Sequence, residues 1–307
     1  MPIHIKRRWT QGLSALAVNA YIPTLIRGKI YQGKIKGVCV PVLNCYSCPS
    51  ALGACPIGSI QNFMATLKFN LSLPQYQLGL YVIGSLGLVG SLLGRFPCGW
   101  LCPFGFIQDL FHKIPSPKLS IPKFLNWGKY IVLALMVFAL PLFLLDEYGM
   151  GKTWFCAWIC PAGTLEAGIP LVILNPGLRS QIGFMFFWKV GVLLFFLAWM
   201  IFSYRPFCRT TCPLGAILGL FNRASLFRLV VDEEKCKTCD ACSKDCPVQI
   251  KVHESPNSPE CIRCLKCVEA CPRGAVAYDF PFFNRPSRKK FRGAAIASST
   301  DEERRPA

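Results

Sequence analysis

Residues 236–247 read Cys236-Lys237-Thr238-Cys239-Asp240-Ala241-Cys242-Ser243-Lys244-Asp245-Cys246-Pro247, and residues 261–272 repeat the pattern as Cys261-Ile262-Arg263-Cys264-Leu265-Lys266-Cys267-Val268-Glu269-Ala270-Cys271-Pro272. Both are C-x2-C-x2-C-x3-C-P, the thiolate spacing of paired [4Fe–4S] clusters, in which the fourth Cys of each run ligates the other cluster. Three closely spaced thiolates grip three corners of one cubane, and the chain after them turns away. The expected sets are Cys236, Cys239, Cys242 and Cys271 for cluster A, and Cys261, Cys264, Cys267 and Cys246 for cluster B. C-x2-C also makes zinc ribbons, but eight Cys in this paired order exceed what tetrahedral zinc needs. Leu229-Val230-Val231 before the runs and Ala275-Val276-Ala277-Tyr278 after them read as short strands that would pair.

Upstream, a second pattern appears when cysteines are aligned on the prolines that follow them. Cys55-Pro56-Ile57-Gly58-Ser59-Ile60, Cys102-Pro103-Phe104-Gly105-Phe106-Ile107, Cys160-Pro161-Ala162-Gly163-Thr164-Leu165 and Cys212-Pro213-Leu214-Gly215-Ala216-Ile217 share C-P-x-G-x-[IL]. Three copies extend to C-x3-C-P through Cys98, Cys156 and Cys208. Pro suits the first position of a helix, where its missing N–H costs nothing, so each second thiol is expected at a helix N-terminus, which favours an anion. One pair cannot complete a four-thiolate site. The expected combinations are Cys98, Cys102, Cys208 and Cys212 on one side of a bilayer, and Cys156, Cys160, Cys55 and Cys48 on the other. Cys39 and Cys45 are left over, as alternative ligands, a thiol pair, or members of a separate four-Cys site with Cys48 and Cys55. Gln61, Gln108 and Glu166 recur just after C-P-x-G, where they either bond a cluster or quinone, or serve the first helical turn.

Apolar stretches at 9–26, 76–93, 130–145 and 184–202 approach the ~20 residues a tilted helix needs to cross a bilayer. The first contains Gln11, Asn19 and Pro23 and reads alternatively as an interfacial helix or signal segment. Lys6, Arg7 and Arg8 before the first stretch, Arg95, Lys113, Lys118 and Lys123 after the second, and Arg205, Arg209, Arg223 and Arg228 after the fourth place those segments in the cytoplasm. Arg27, Lys29, Lys34 and Lys36 in the first loop run against this rule. The fold class is therefore a mainly α membrane protein of four transmembrane helices with C-x3-C-P loops (1–223), followed by a cytoplasmic α+β two-cluster ferredoxin domain (224–281). Residues 282–307 read as a disordered basic tail.

Composition supports this division. Hydrophobic residues make up 52% of the 307 and charged residues 16%, with mean hydropathy +0.38; an average soluble domain carries about 25% charged residues. Three His, none inside an apolar stretch, cannot supply paired axial ligands for transmembrane haem. The formal charge of +18 would be partly offset by anionic clusters, and nucleic acid is not an expected partner.

Cys98-Gly99-Trp100-Leu101-Cys102-Pro103, Cys208-x3-Cys212-Pro213 and the double run after the last apolar stretch resemble the membrane polyferredoxins related to NapH, the C-terminal half of NosR, and CcoG. The resemblance implies electron transfer at the cytoplasmic membrane, linked to quinone, a partner reductase or metal-centre maturation. The expected function is a relay between a cytoplasmic donor and quinone or a partner redox protein. The alternatives are a CcoG-like copper reductase using Cys39 and Cys45, and a membrane anchor whose clusters are structural. The Cys39–Cys55 loop and the third C-x3-C-P exceed the two-pair pattern, so NapH's own partner does not carry over.

Overall fold

The computed structural model describes residues 2–67, 76–147, 149–280 and 291–292. Eight principal helices precede the ferredoxin-like unit among the described residues: α1 (Ile3–Val18), α2 (Pro56–Ala65), α3 (Tyr76–Leu93), α4 (Pro103–Phe111), α5 (Lys123–Phe143), α6 (Pro161–Leu174), α7 (Phe184–Phe202) and α8 (Pro213–Phe221). Helices α2, α4, α6 and α8 each begin at the proline after a cysteine, so the C-P-x-G copies become four helix starts. Before three of them, a one-turn helix carries the first thiol of the pair: Phe96–Trp100, Trp154–Trp158 and Pro206–Thr210.

Two helices, α5 and α7, are long and apolar enough to cross a membrane, while α6 and the Gly79–Leu93 portion of α3 are apolar but shorter. The expectation of four full spans is corrected most clearly at residues 9–26, which do not form one helix. Asn19 ends α1 by bonding the Ala15 carbonyl and the Asn44 side chain, and the chain restarts as a short helix, Ile22–Ile26, with Pro23 in its first turn. Helix α1 buries Arg7 and Gln11 on one face and exposes Trp9, Leu13 and Leu16 on the other. In α5 and α6, wide π turns, Leu133–Ala139 and Thr164–Gly168, lie just before Pro141 and Pro170. They absorb the N–H that each proline removes from the ladder.

Beyond α8 come β1 (Arg228–Asp232), α9 (Ala241–Lys244), α10 (Lys266–Ala270), β2 (Val276–Asp279) and β3 (Phe291–Arg292). The sheet order is β2-β1-β3, antiparallel, with Val230 opposite Ala277 and Val231 opposite Arg292. Strand β1 is central, with Leu229, Val230 and Val231 buried. Pairing of Phe291–Arg292 with β1 corrects the expectation of a disordered tail at that point; the rest of that tail lies outside the described residues.

The helical part packs around Phe207, whose ring meets Phe104 at 5.2 Å and Phe196 at 5.1 Å, both edge-on. The ferredoxin-like core of Phe227, Leu229, Val231 and Val276 is completed by Ile3, Leu93, Phe96, Trp100 and Tyr204 from the helical part. The two parts therefore share a packed junction, and that junction positions the sites below.

Candidate cluster sites

Cys236, Cys239, Cys242 and Cys271 line one cavity, and Cys246, Cys261, Cys264 and Cys267 line a second. These groups, A and B, correspond to the crossed sets expected from the spacing. Each C-x2-C-x2-C loop bends the same way: Thr238 and Asp240 in the first, Arg263 and Leu265 in the second, have positive φ between 49° and 61°. Non-glycine residues seldom hold this conformation, and its repetition at matching positions wraps each loop around its cavity. Cys242 of A lies within electrostatic reach of Cys267 of B.

Group C gathers Cys98, Cys102, Cys208 and Cys212, all buried and within electrostatic reach of one another. The amides of Gly105 and Gly215 each donate to the thiol at their helix start, Cys102 and Cys212, at 3.4 Å. Room at Gly215 is close, because a Cβ there would stand 3.1 Å from the Cys208 carbonyl and 3.0 Å from Arg95 Nη2. From α4, Gln108 Nε2 donates to Cys208 Sγ at 2.9 Å.

Group D lines a cavity of about 270 Å³ and consists of Cys45, Cys55, Cys156 and Cys160. This corrects the expected set, in which Cys48 stood where Cys45 stands. The Cys48 thiol, one tight turn on from Cys45, faces Asn19 Oδ1 (3.6 Å) and Ser50 Oγ (3.4 Å) instead. Cys39 does not line this cavity; its amide donates to Tyr81 Oη at 3.4 Å, against α3. The leftover pair Cys39 and Cys45 is thus divided. Gln61 Nε2 donates to Cys156 Sγ at 3.2 Å, and Gly163 N to Cys160 Sγ at 3.4 Å. Glu166 accepts from the Cys45 amide at 2.6 Å, and burial pushes its carboxyl up to about 8.

Comparison with known proteins bears on what these cavities hold. A family of "4Fe-4S binding domain" proteins matches residues 53–74, 79–122, 130–169 and 184–231, half of the chain, and a "4Fe-4S dicluster domain" family matches 228–272. The chain belongs to the membrane-bound polyferredoxins. An uncharacterized protein of Methanocaldococcus jannaschii, MJ0750, is 33% identical over 75% of this chain and 88% of its own length. The "Putative electron transport protein YccM" of Escherichia coli is 25% identical over 72% of the chain and 60% of its own. The "Regulatory protein NosR" of Stutzerimonas stutzeri is 32% identical over 55% of the chain and 22% of its own. No solved structure matches.

The residues of this polyferredoxin fit [4Fe–4S] clusters on two observations of charge and solvation. Burial pushes the thiols of Cys55 up to about 11 and of Cys45 and Cys156 up to about 12, so thiolate there needs a cationic partner such as iron. Six cationic side chains are buried among the described residues: Arg7, Arg95, Lys129, Arg205, Arg209 and Arg263. The buried carboxylates among the described residues are Asp109, Asp232 and Asp279, of which only Asp109 is ion-paired within the six, to Arg7 and Arg205. Half-buried Glu260 pairs with Arg95 (3.6 Å) and Lys129. So many dry cations are tolerated only beside further negative charge, which anionic clusters would bring. Among the described residues, no three His, Cys, Asp or Glu side chains form a single-ion site of the kind zinc takes.

Three short junctions string the sites of the polyferredoxin in the order A, B, C, D. Between B and C, Gly99, next to Cys98, lies against the carbonyl of Ile262, next to Cys261, so closely that a Cβ at 99 would overlap it. Trp100 Nε1 donates to the Arg263 carbonyl at 3.0 Å. Arg95 spans the same junction, donating to the Cys208 carbonyl at 3.0 Å and the Pro259 carbonyl at 2.8 Å. Between C and D, the Leu43 amide reaches Cys102 Sγ and the next amide, Asn44, reaches Cys55 Sγ. Consecutive residues of this loop thus face one thiol of each group. Groups C and D contribute to one hydrophobic core, Cys98, Cys102 and Cys212 from the first and Cys55 and Cys160 from the second. Sequence reasoning missed the Leu43–Asn44 bridge and the buried arginines; loop residues without Cys offered no signal, and arginines read as topology markers.

Proposed function

We propose that this polyferredoxin is an electron-transfer subunit carrying four [4Fe–4S] clusters in single file. The observation that supports this most is the succession of four four-thiol groups, each joined to the next by adjacent residues. When bound, such clusters each take up and release one electron. The chain's own residues do the rest. Sixteen thiols hold the four positions, glycine and glutamine N–H groups aim at the sulfurs of C and D, and Arg95, Arg205 and Arg263 hold the junctions dry and positively charged.

In this reading α5 and α7 cross the cytoplasmic membrane, and the positive charge of residues 205–228 keeps the ferredoxin unit in the cytoplasm. Cys239 of group A is exposed, offering the exchange point for a soluble redox partner. At the other end, the group D cavity is lined by Tyr46, Thr153 and Lys189 and forms the exchange point for quinone or a membrane partner. The relay does not have to cross the whole bilayer within the protein, because C and D are neighbours.

Anaerobic purification with iron and sulfide quantification, followed by an EPR-monitored redox titration, tests the reading. About sixteen irons per chain, as four cubanes require, with all four signals reducible by one donor, is the expected result. About eight irons would confine cluster chemistry to the ferredoxin unit and overturn the relay.

A further inference from the structure

Two further cavities meet at Arg8, Asp109 and Lys113, the second of them bordering group B at Cys246. One is an apolar groove of about 560 Å³ between α1 and α4, walled by Trp9, Leu13, Leu16, Phe106 and Leu110. The other is a cleft of about 770 Å³ where the helical part meets the ferredoxin unit, with Arg8, Lys113, Lys118, Lys244 and Lys266 on its walls. Among the described residues, none of these five cations has a carboxylate within salt-bridge distance. Of the acids on the cleft wall, Asp109 binds Arg205 and Arg7 at 2.6 and 2.8 Å and Glu269 faces His4, which leaves Asp245 as a single carboxylate against the five cations. Arg7, 4% exposed, also lines the cleft, and its Nε and Nη1 have no hydrogen-bond partner.

We infer that the continuous groove and cleft bind one anionic phospholipid, its phosphate held between Arg8 and Lys113 and an acyl chain laid along α1. The inference rests on the membrane reading above. The direction is consistent: α1 begins against the ferredoxin unit, where Ile3 packs, and ends at Val18 beside the loop that carries group D. The charged end of the ligand therefore faces the cytoplasmic side and its chain points into the apolar layer. Trp9, Leu13 and Leu16 are 64%, 61% and 71% exposed, an apolar face that hydrocarbon would cover. A neutral quinone leaves the cations without counter-charge, and an acidic protein cannot fill the groove. A phospholipid satisfies both parts.

The test uses the full chain with its clusters, reconstituted in nanodiscs of phosphatidylcholine with or without phosphatidylglycerol, then delipidated and read by native mass spectrometry. One phosphatidylglycerol is expected to stay bound, preferred over phosphatidylcholine by about tenfold or more. An Arg8→Gln/Lys113→Gln double variant loses that preference, and Leu13→Trp, which fills the groove, loses the lipid itself, both with unchanged iron content. Equal retention of the two lipids, phosphatidylglycerol persisting in the double variant, or its displacement by inorganic phosphate or ubiquinone overturns the inference. Vesicle flotation separates this from the reading beneath it. A chain that floats with both compositions but shows no preference overturns the lipid site alone, whereas a chain that floats with neither overturns both.

Discussion

Gln108 donates its side-chain amide to Cys208 Sγ at 2.9 Å, across from the second C-P-x-G copy to the fourth. Gln61 does the same at 3.2 Å from the first copy to the third, reaching Cys156. The internal repeat therefore closes in pairs, and each pair hydrogen-bonds a sulfur of its own four-thiol group. An N–H aimed at a cluster thiolate stabilises the more negative, reduced state. Replacing Gln108 by Leu is expected to lower the potential of one cluster by about 40 mV, the equivalent of a ~1 kcal/mol hydrogen bond for one electron. An EPR titration of wild type and variant with equal iron content checks this; an unchanged potential would show the contact to be structural only.

Cys45 and Cys48 stand three residues apart and face different surroundings, so serine at each separates ligand from bystander. Cys45→Ser is expected to lose a cluster's worth of iron, about four atoms, while Cys48→Ser keeps full iron content. Iron quantification on anaerobically purified protein decides it. Loss at Cys48 with retention at Cys45 would restore the set read from the sequence.

Gly99 is a second point where one atom matters. Alanine there pushes a methyl group into the Ile262 carbonyl at the junction between the helical part and the ferredoxin unit. Overpacking of this kind costs about 1–3 kcal/mol. The expected outcome is a lowered Tm together with faster proteolytic cleavage between residues 221 and 228. An unchanged melting profile would mean that the junction can shift to admit the methyl.

Asp109 holds Arg205 and Arg7 in the dry layer between α1, α4 and Pro206–Thr210. Burial alone would raise its pKa, but the Arg205 guanidinium, assisted by Arg7, outweighs burial and keeps it below the ordinary carboxylate range. Its folded pKa thus lies below its unfolded value of about 3.9. The stabilisation is fully present above that value and is lost only as pH falls through the folded pKa. Stability attributable to this group is therefore flat from pH 5 to 8, whereas Asp109→Asn strands two buried guanidiniums at a cost of about 3–5 kcal/mol at neutral pH. Chemical denaturation across that pH range, with and without the substitution, measures both effects.

The cysteine runs made groups A and B legible without coordinates, because C-x2-C-x2-C-x3-C-P spacing constrains sulfurs within a dozen residues, where chain geometry alone sets the reach. The same holds for the helix starts after Cys55, Cys102, Cys160 and Cys212, since proline acts on its own backbone. Pairing Cys98 and Cys102 with Cys208 and Cys212 also followed from the repeat. Asn19 and Pro23 marked residues 9–26 as an irregular stretch, but the linear order did not contain the fourth member of group D or the neighbourhood of C and D. Cys45 and Cys48 sit in one loop three residues apart, and the partners Asn19 and Glu166 brought from distant segments, with Ser50 beside Cys48, decide which thiol enters the cavity. Local spacing is enforced by covalent geometry and survives in sequence. The choice between two nearby thiols, and the distance between two sites joined by Leu43 and Asn44, belongs to long-range packing.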